Sequence, residues 1–197
     1  MITLCALAVA LLVAPPQAAK SRGNADLKEL STYTLSMATL HKVDRAMRTF
    51  AAEMKKDPKV QEAMKLEADI KALEKKFEDT EPSDADQKRL EDMQARLEAL
   101  ENRESLNMND AKTIDDMAAK IQKFPPLVSA LQREGLTARE YATFMMAMLQ
   151  AGLAAGFQKS GLLKELPEGT NPANVKWILE NEAELAKMQK AWGTLMK

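Results

Sequence analysis

Met145-Met-Ala-Met148 is the stretch whose side chains come nearest to cofactor chemistry. Thioether sulfur is a soft donor suited to Cu(I), and helical spacing sets Met145 beside Met148. The same residues are also ordinary gap-fillers of helical cores. His41 is the only histidine, and the one cysteine, Cys5, lies inside an apolar run at the N-terminus. Zinc and haem therefore lack their usual partners, no Cys-x-x-Cys-His run exists, and neither metal nor cofactor is expected. A serine or cysteine nucleophile would have only His41 to activate it. The adjacent acids Asp115 and Asp116 have a cheaper explanation in the first turn of a helix, where the dipole favours negative charge. No catalytic residue is assigned, and the sequence leans away from an enzyme.

The residues with most scope to enclose something lie on one uncharged stretch and on the last helix. From Tyr141 to Gln158 there is no charged residue. Tyr141, Phe144, Met145 and Met148 share a helical face there, and Trp192 is placed to meet them. Those five are the candidate lining of a pocket for a small apolar ligand or cofactor. Within the same stretch, Gly152-x-x-x-Gly156 is a helix-association pattern in membranes. Eighteen uncharged residues also reach the lower length of a spanning helix. Thr143, Gln150 and the glycines dilute that reading, and no stable membrane span is expected in the mature chain. The glycines instead predict a close crossing by another helix, the last one being the natural choice.

The elements that must carry these residues are helices throughout. Ile2 to Val13 has the length and composition of a signal-peptide core, Pro15-Pro16 breaks it, and Ala18-Ala19 offer a cleavage point. Residues 1–19 are thus expected to be a signal peptide, with 20–197 a single helical domain, exported to the periplasm or secreted. Cys5 would leave with the signal, so stability must come from packing. A net charge of −1 carries no basic footprint for nucleic acid.

Lys20 to Asp26 reads as a short polar lead. Leu40, Val43, Met47, Phe50 and Met54 form one helical face, with Ser36 or Thr39 as cap. Asp57-Pro58 ends that helix and starts the next, whose stripe runs through Val60, Met64, Ile70, Leu73 and Phe77. Thr80 to Asp84 is a turn with Ser83 as cap. Leu90, Met93, Leu97 and Leu100 then follow at a/d spacing. Between Lys55 and Glu104, 26 of 50 residues are charged. Two thin seams joined by a short turn predict a charged antiparallel hairpin over 58–104, either laid along the bundle or projecting to meet a partner.

Glu104 to Asn109 breaks the pattern. Thr113-Ile-Asp-Asp116 resembles a capping box, Pro125-Pro126 splits two short helices, and Gly135 closes the second. Thr137-Ala-Arg-Glu140 is a full capping box opening the uncharged helix. Being apolar on every side, that helix is expected to be buried on every side. Gly161 ends it, a loop follows, and Asn171-Pro starts a last helix carrying Val175, Ile178, Leu185, Met188 and Trp192. The fold class is all-α, a helical bundle with a central buried helix.

The runs Leu127-Val-Ser-Ala-Leu131, Gly135-Leu-Thr-Ala-Arg-Glu-Tyr141 and Asn171-Pro-Ala-Asn-Val175 together resemble a group of small exported bacterial helical proteins of unknown function. The resemblance spans the C-terminal third to half of the chain, with a fainter match in the first helix. It implies no activity. The expected function is therefore a binding or structural module of the cell envelope, working through a protein partner at the 58–104 hairpin. The alternative is the apolar-ligand carrier.

Overall fold

In the computed structural model the described residues are 24–79, 81–104, 111–163 and 165–195. The expected signal segment, residues 20–23 of the polar lead, and residues 105–109 of the stretch that breaks the apolar pattern lie outside them. The chain is an all-α helical bundle. Among the described residues it runs α1 (Asn24–Thr32), α2 (Met37–Met54), α3 (Pro58–Asp79), α4 (Asp84–Glu104), α5 (Ile114–Gln122), α6 (Pro125–Arg133), α7 (Ala138–Lys159), α8 (Pro172–Glu180) and α9 (Glu182–Leu195).

Local side-chain chemistry sets most of these boundaries. Ser36 Oγ accepts the Thr39 N–H at 3.1 Å and starts α2, and Asp57 Oδ1 accepts the Lys59 N–H at 2.8 Å at the start of α3. Ser83 does the same for α4 through Asp86 N–H at 3.2 Å. Thr113 and Thr137 close reciprocal capping boxes with Asp116 and Glu140, each satisfying two otherwise orphaned donors. Gly135 and Gly161 take φ of 66° and 73°, the left-handed turn that lets Leu136 N–H and Leu162 N–H reach back to Leu131 and Phe157 carbonyls.

The core lies where α2, α5, α6, α7 and α8 meet. Leu40, Val43, Ile114, Ile121, Leu131 and Phe144 are almost fully enclosed. Phe50 meets Phe124 edge-on at 5.7 Å. Tyr33 lies close enough to Glu140 to sense its charge, and Asn174 at the start of α8 holds the Tyr33 carbonyl. At the other end Lys159 pairs with Glu182 at 2.8 Å. The loop after α7 therefore doubles back, and α8 runs beside α7 in the same direction.

Two expectations are corrected here. The uncharged helix α7 is not buried all round. Its enclosed side is Phe144 with Ala147, Ala151, Ala154 and Ala155, while Met145, Met148, Leu149 and Leu153 are half-buried and Phe157 is 43% exposed. The reason is length. α7 has 22 residues, about 33 Å at 1.5 Å per residue, and its nine-residue neighbours α5, α6 and α8 span only about 14 Å each. They cannot wrap it end to end. Nor does another helix cross at the glycines, because a methyl group on Gly152 or Gly156 would meet no atom within 4 Å.

The last helix is also two helices. The Asn181 side-chain amide donates to the Trp177 carbonyl at 2.8 Å, a local bond that competes with helix continuation, and α9 restarts at Glu182.

Candidate interaction surface

The densest set of polar side chains lies where α1, α5 and α7 converge, and it is fully engaged in holding them together. Arg139, in the first turn of α7, donates from both terminal nitrogens to Glu29 of α1 at 2.6 and 2.7 Å. Its Nε donates to Asp115 of α5 at 3.0 Å. Thr143, one turn along α7 and buried, places its hydroxyl 3.1 Å from Glu29 and 3.0 Å from the Arg139 carbonyl. Asp26 accepts the Ile114 N–H at 3.1 Å. The Arg139 hydrogen bonds hold the Glu29 carboxyl below its ordinary value. The backbone N–H of Thr137 does the same for Glu140, and the Thr113 hydroxyl for Asp116. These acids stay anionic and bonded at neutral pH, a poor arrangement for donating protons.

The five pocket candidates divide. Phe144 is 1% exposed, within the core. Met145 and Met148 are half-buried against it. Tyr141 and Trp192 both reach α2 one turn apart. The Tyr141 hydroxyl donates to Met47 sulfur at 3.7 Å, and burial pushes that phenol up to about 12. Trp192 Nε1 donates to Asp44 at 2.8 Å. Asp44 also accepts from Arg48; burial raises its carboxyl, but these two bonds outweigh burial and leave it lowered. Two grooves mark the surface, one on the hairpin and one between α2 and α6, and none of the five residues lines either. His41 is exposed. Among the described residues no three His, Cys, Asp or Glu side chains are placed to hold a metal ion, and no helix is long and apolar enough to cross a membrane.

Sequence reasoning passed over the residues that join distant elements. Asn174, 2% exposed, accepts the Leu35 N–H at 2.8 Å and donates to the Tyr33 carbonyl at 2.9 Å. Asn171 adds a bond to the same carbonyl at 2.7 Å. The α1–α2 link is thus pinned to the start of α8. A second asparagine three residues after a capping Asn-Pro was the available hint.

The hairpin differs in kind. Arg96 of α4 bonds Glu62 of α3 at 2.8 and 3.2 Å, and Lys76 meets Asp86 at 3.7 Å, so α3 and α4 are antiparallel. Between these two pairs a shallow groove of about 230 Å³ is lined by Asp69, Leu73, Lys76, Arg89 and Met93. Val60, Ala63, Ile70 and Leu100 are buried, whereas Leu73, Phe77, Leu90, Met93 and Leu97 remain half-open. Nine basic residues face fourteen acidic ones between 58 and 104, a net −5 in a chain of net −1. The second groove, about 390 Å³, sits near the hairpin's base beside Met54, Lys56, Pro126 and Arg133. Together these features make an elongated, charged surface with an incompletely covered apolar seam.

Comparison with protein-family models, with curated proteins and with solved structures returned no match.

Proposed function

We propose that this protein is an exported binding or structural module of the cell envelope whose working surface is the α3–α4 hairpin. One observation carries the reading. The hairpin's helices pack on each other and leave Leu73, Phe77, Leu90, Met93 and Leu97 half-open. The polar clusters of the body are already spent on joining its helices. Two helices cover only part of an apolar seam, and a third element from a partner completes it, as in helix-in-groove recognition. The N-terminal apolar run with its proline break and small residues supports export.

The test is removal of residues 58–104 with a short linker joining α2 to the segment before α5. Partner capture from the native host and the oligomeric state of the purified protein are compared with the full chain. Loss of a captured partner, or a change of oligomeric state with the far-ultraviolet helical signal scaled to the remaining length, supports the reading. Unchanged capture and unchanged assembly overturn it.

A further inference from the structure

The two edges of the hairpin seam are not equivalent. On one edge stand the Glu62–Arg96 and Lys76–Asp86 pairs, with Asp69 and Arg89 between them. Opposite charges alternate there, and they knit α3 to α4. At 100° per residue, the other edge receives Glu74 and Glu78 from α3 and Glu91 and Glu98 from α4. Lys71 is the one basic residue in the same arc. These four glutamates are exposed, and none of the ion pairs among the described residues includes them. Glu74 and Glu78 are like charges at i,i+4, which weakens a helix, so this edge contributes less to the hairpin than the other one does.

We propose that this edge docks a cationic amphipathic helix from a partner protein. Its apolar stripe covers the open side of Phe77, Leu90 and Leu97, and its lysines or arginines stand over Glu74, Glu78, Glu91 and Glu98. The inference rests on the hairpin being the working surface and adds the chemistry of the occupant. The seam supplies the contact area, and the charge chooses the partner and steers its approach. A second copy of the same hairpin is a poor occupant, since it brings another net −5.

The probe is a synthetic 21-residue helix with leucine at a and d positions and lysine at the flanks, labelled for fluorescence anisotropy against the full chain. Its controls are a scrambled peptide of equal charge and a version with glutamate for lysine. The variant is Glu74→Gln/Glu78→Gln/Glu91→Gln/Glu98→Gln, which keeps helix propensity. An exposed ion pair contributes roughly a factor of two, so the variant should bind the leucine–lysine peptide about tenfold more weakly. The wild type should bind the scrambled and glutamate peptides at least tenfold more weakly, and half-molar salt should weaken the authentic complex.

No binding, equal binding of the scrambled peptide, or equal binding by the variant overturns the proposal. So does a hairpin-dependent homodimer, which would make a second copy the occupant. If deletion of 58–104 abolishes native partner capture while the four-glutamine variant captures that partner as well as wild type, the proposed function survives and this inference alone falls.

Discussion

Replacing Gly152 and Gly156 with alanine tests how α7 sits in the bundle. Both glycines are within a 22-residue helix, Gly152 in its interior, and neither has the positive φ that would need glycine. An added Cβ meets nothing within 4 Å at either site, so no overpacking opposes the change. What remains is helix propensity, which favours alanine over glycine by about 0.8–1.0 kcal/mol per site. Gly156 lies in the last turn, where the gain is smaller. The double variant should therefore be more stable by about 1.5 kcal/mol, a rise in Tm of about 3–6 °C for a domain of this size. Thermal melts followed at 222 nm and urea titrations measure it, the urea slope staying constant. Loss of stability, by even about 1 kcal/mol, would mean that a helix does cross at these glycines and that the open face described here is wrong.

Three further outcomes follow from tertiary bonds. Asn174→Ala leaves the Leu35 N–H without its acceptor in a buried place and should cost about 2 kcal/mol, read by urea unfolding; a cost near zero would show that water replaces the amide. Gly169 has φ of 80° and a Cβ there would fall 2.7 Å from Leu27 Cδ2 and 3.3 Å from its Cα, while Gly135, at 66°, has open space. Gly169→Ala should thus cost more than Gly135→Ala, roughly 2–3 against 1 kcal/mol, and equal losses would refute the contact with α1. Stability should also fall in acid. Glu29, Glu140 and Asp116 titrate below their ordinary values when folded, so the unfolded chain binds more protons as pH drops below about 4.5 and the contribution disappears as pH passes the folded values. Urea titrations from pH 7 to 3 measure this, and Arg139→Gln should flatten the curve; an unchanged slope would remove Glu29 as a contributor.

Local chemistry was legible and distant chemistry was not. Ser36, Asp57, Ser83, Thr113, Thr137 and Asn171 act within three residues of themselves, so the chain itself states where these six helices begin. Gly135 and Gly161 announce ends for the same reason. Helix α1 gave no such notice. It has nine residues and only Leu27 and Leu30 as large apolar side chains, and it is held by bonds to positions 88 to 114 residues away. The break at Asn181 was hidden by apolar periodicity that continues across it. Arg139 reads as a neutral choice inside a capping box, and only the fold reveals it as the link between α1, α5 and α7. The burial expected for α7 failed because composition reports what a helix tolerates, whereas neighbour length decides what is covered.

The hairpin shows where sequence reading stops for function. Charge density and a/d spacing announce a solvated helix pair, and both are properties of each helix taken alone. The inequality of its two edges is a property of how the two helices face each other. It appears only once Glu62 is set against Arg96 and Lys76 against Asp86, because those pairs fix which flank of α4 lies beside which flank of α3. The turn at Pro82-Ser83 and those two pairs therefore bring the acidic flanks of the two helices onto one edge. Charge reversal at the first pair, Glu62→Arg/Arg96→Glu, keeps composition and attraction, and should leave binding of the cationic helix within about twofold. Glu62→Arg alone sets two cations together, loosens the register and should weaken that binding several-fold at unchanged helix content. Equal binding by the single and double variants would show that register does not shape the acidic edge.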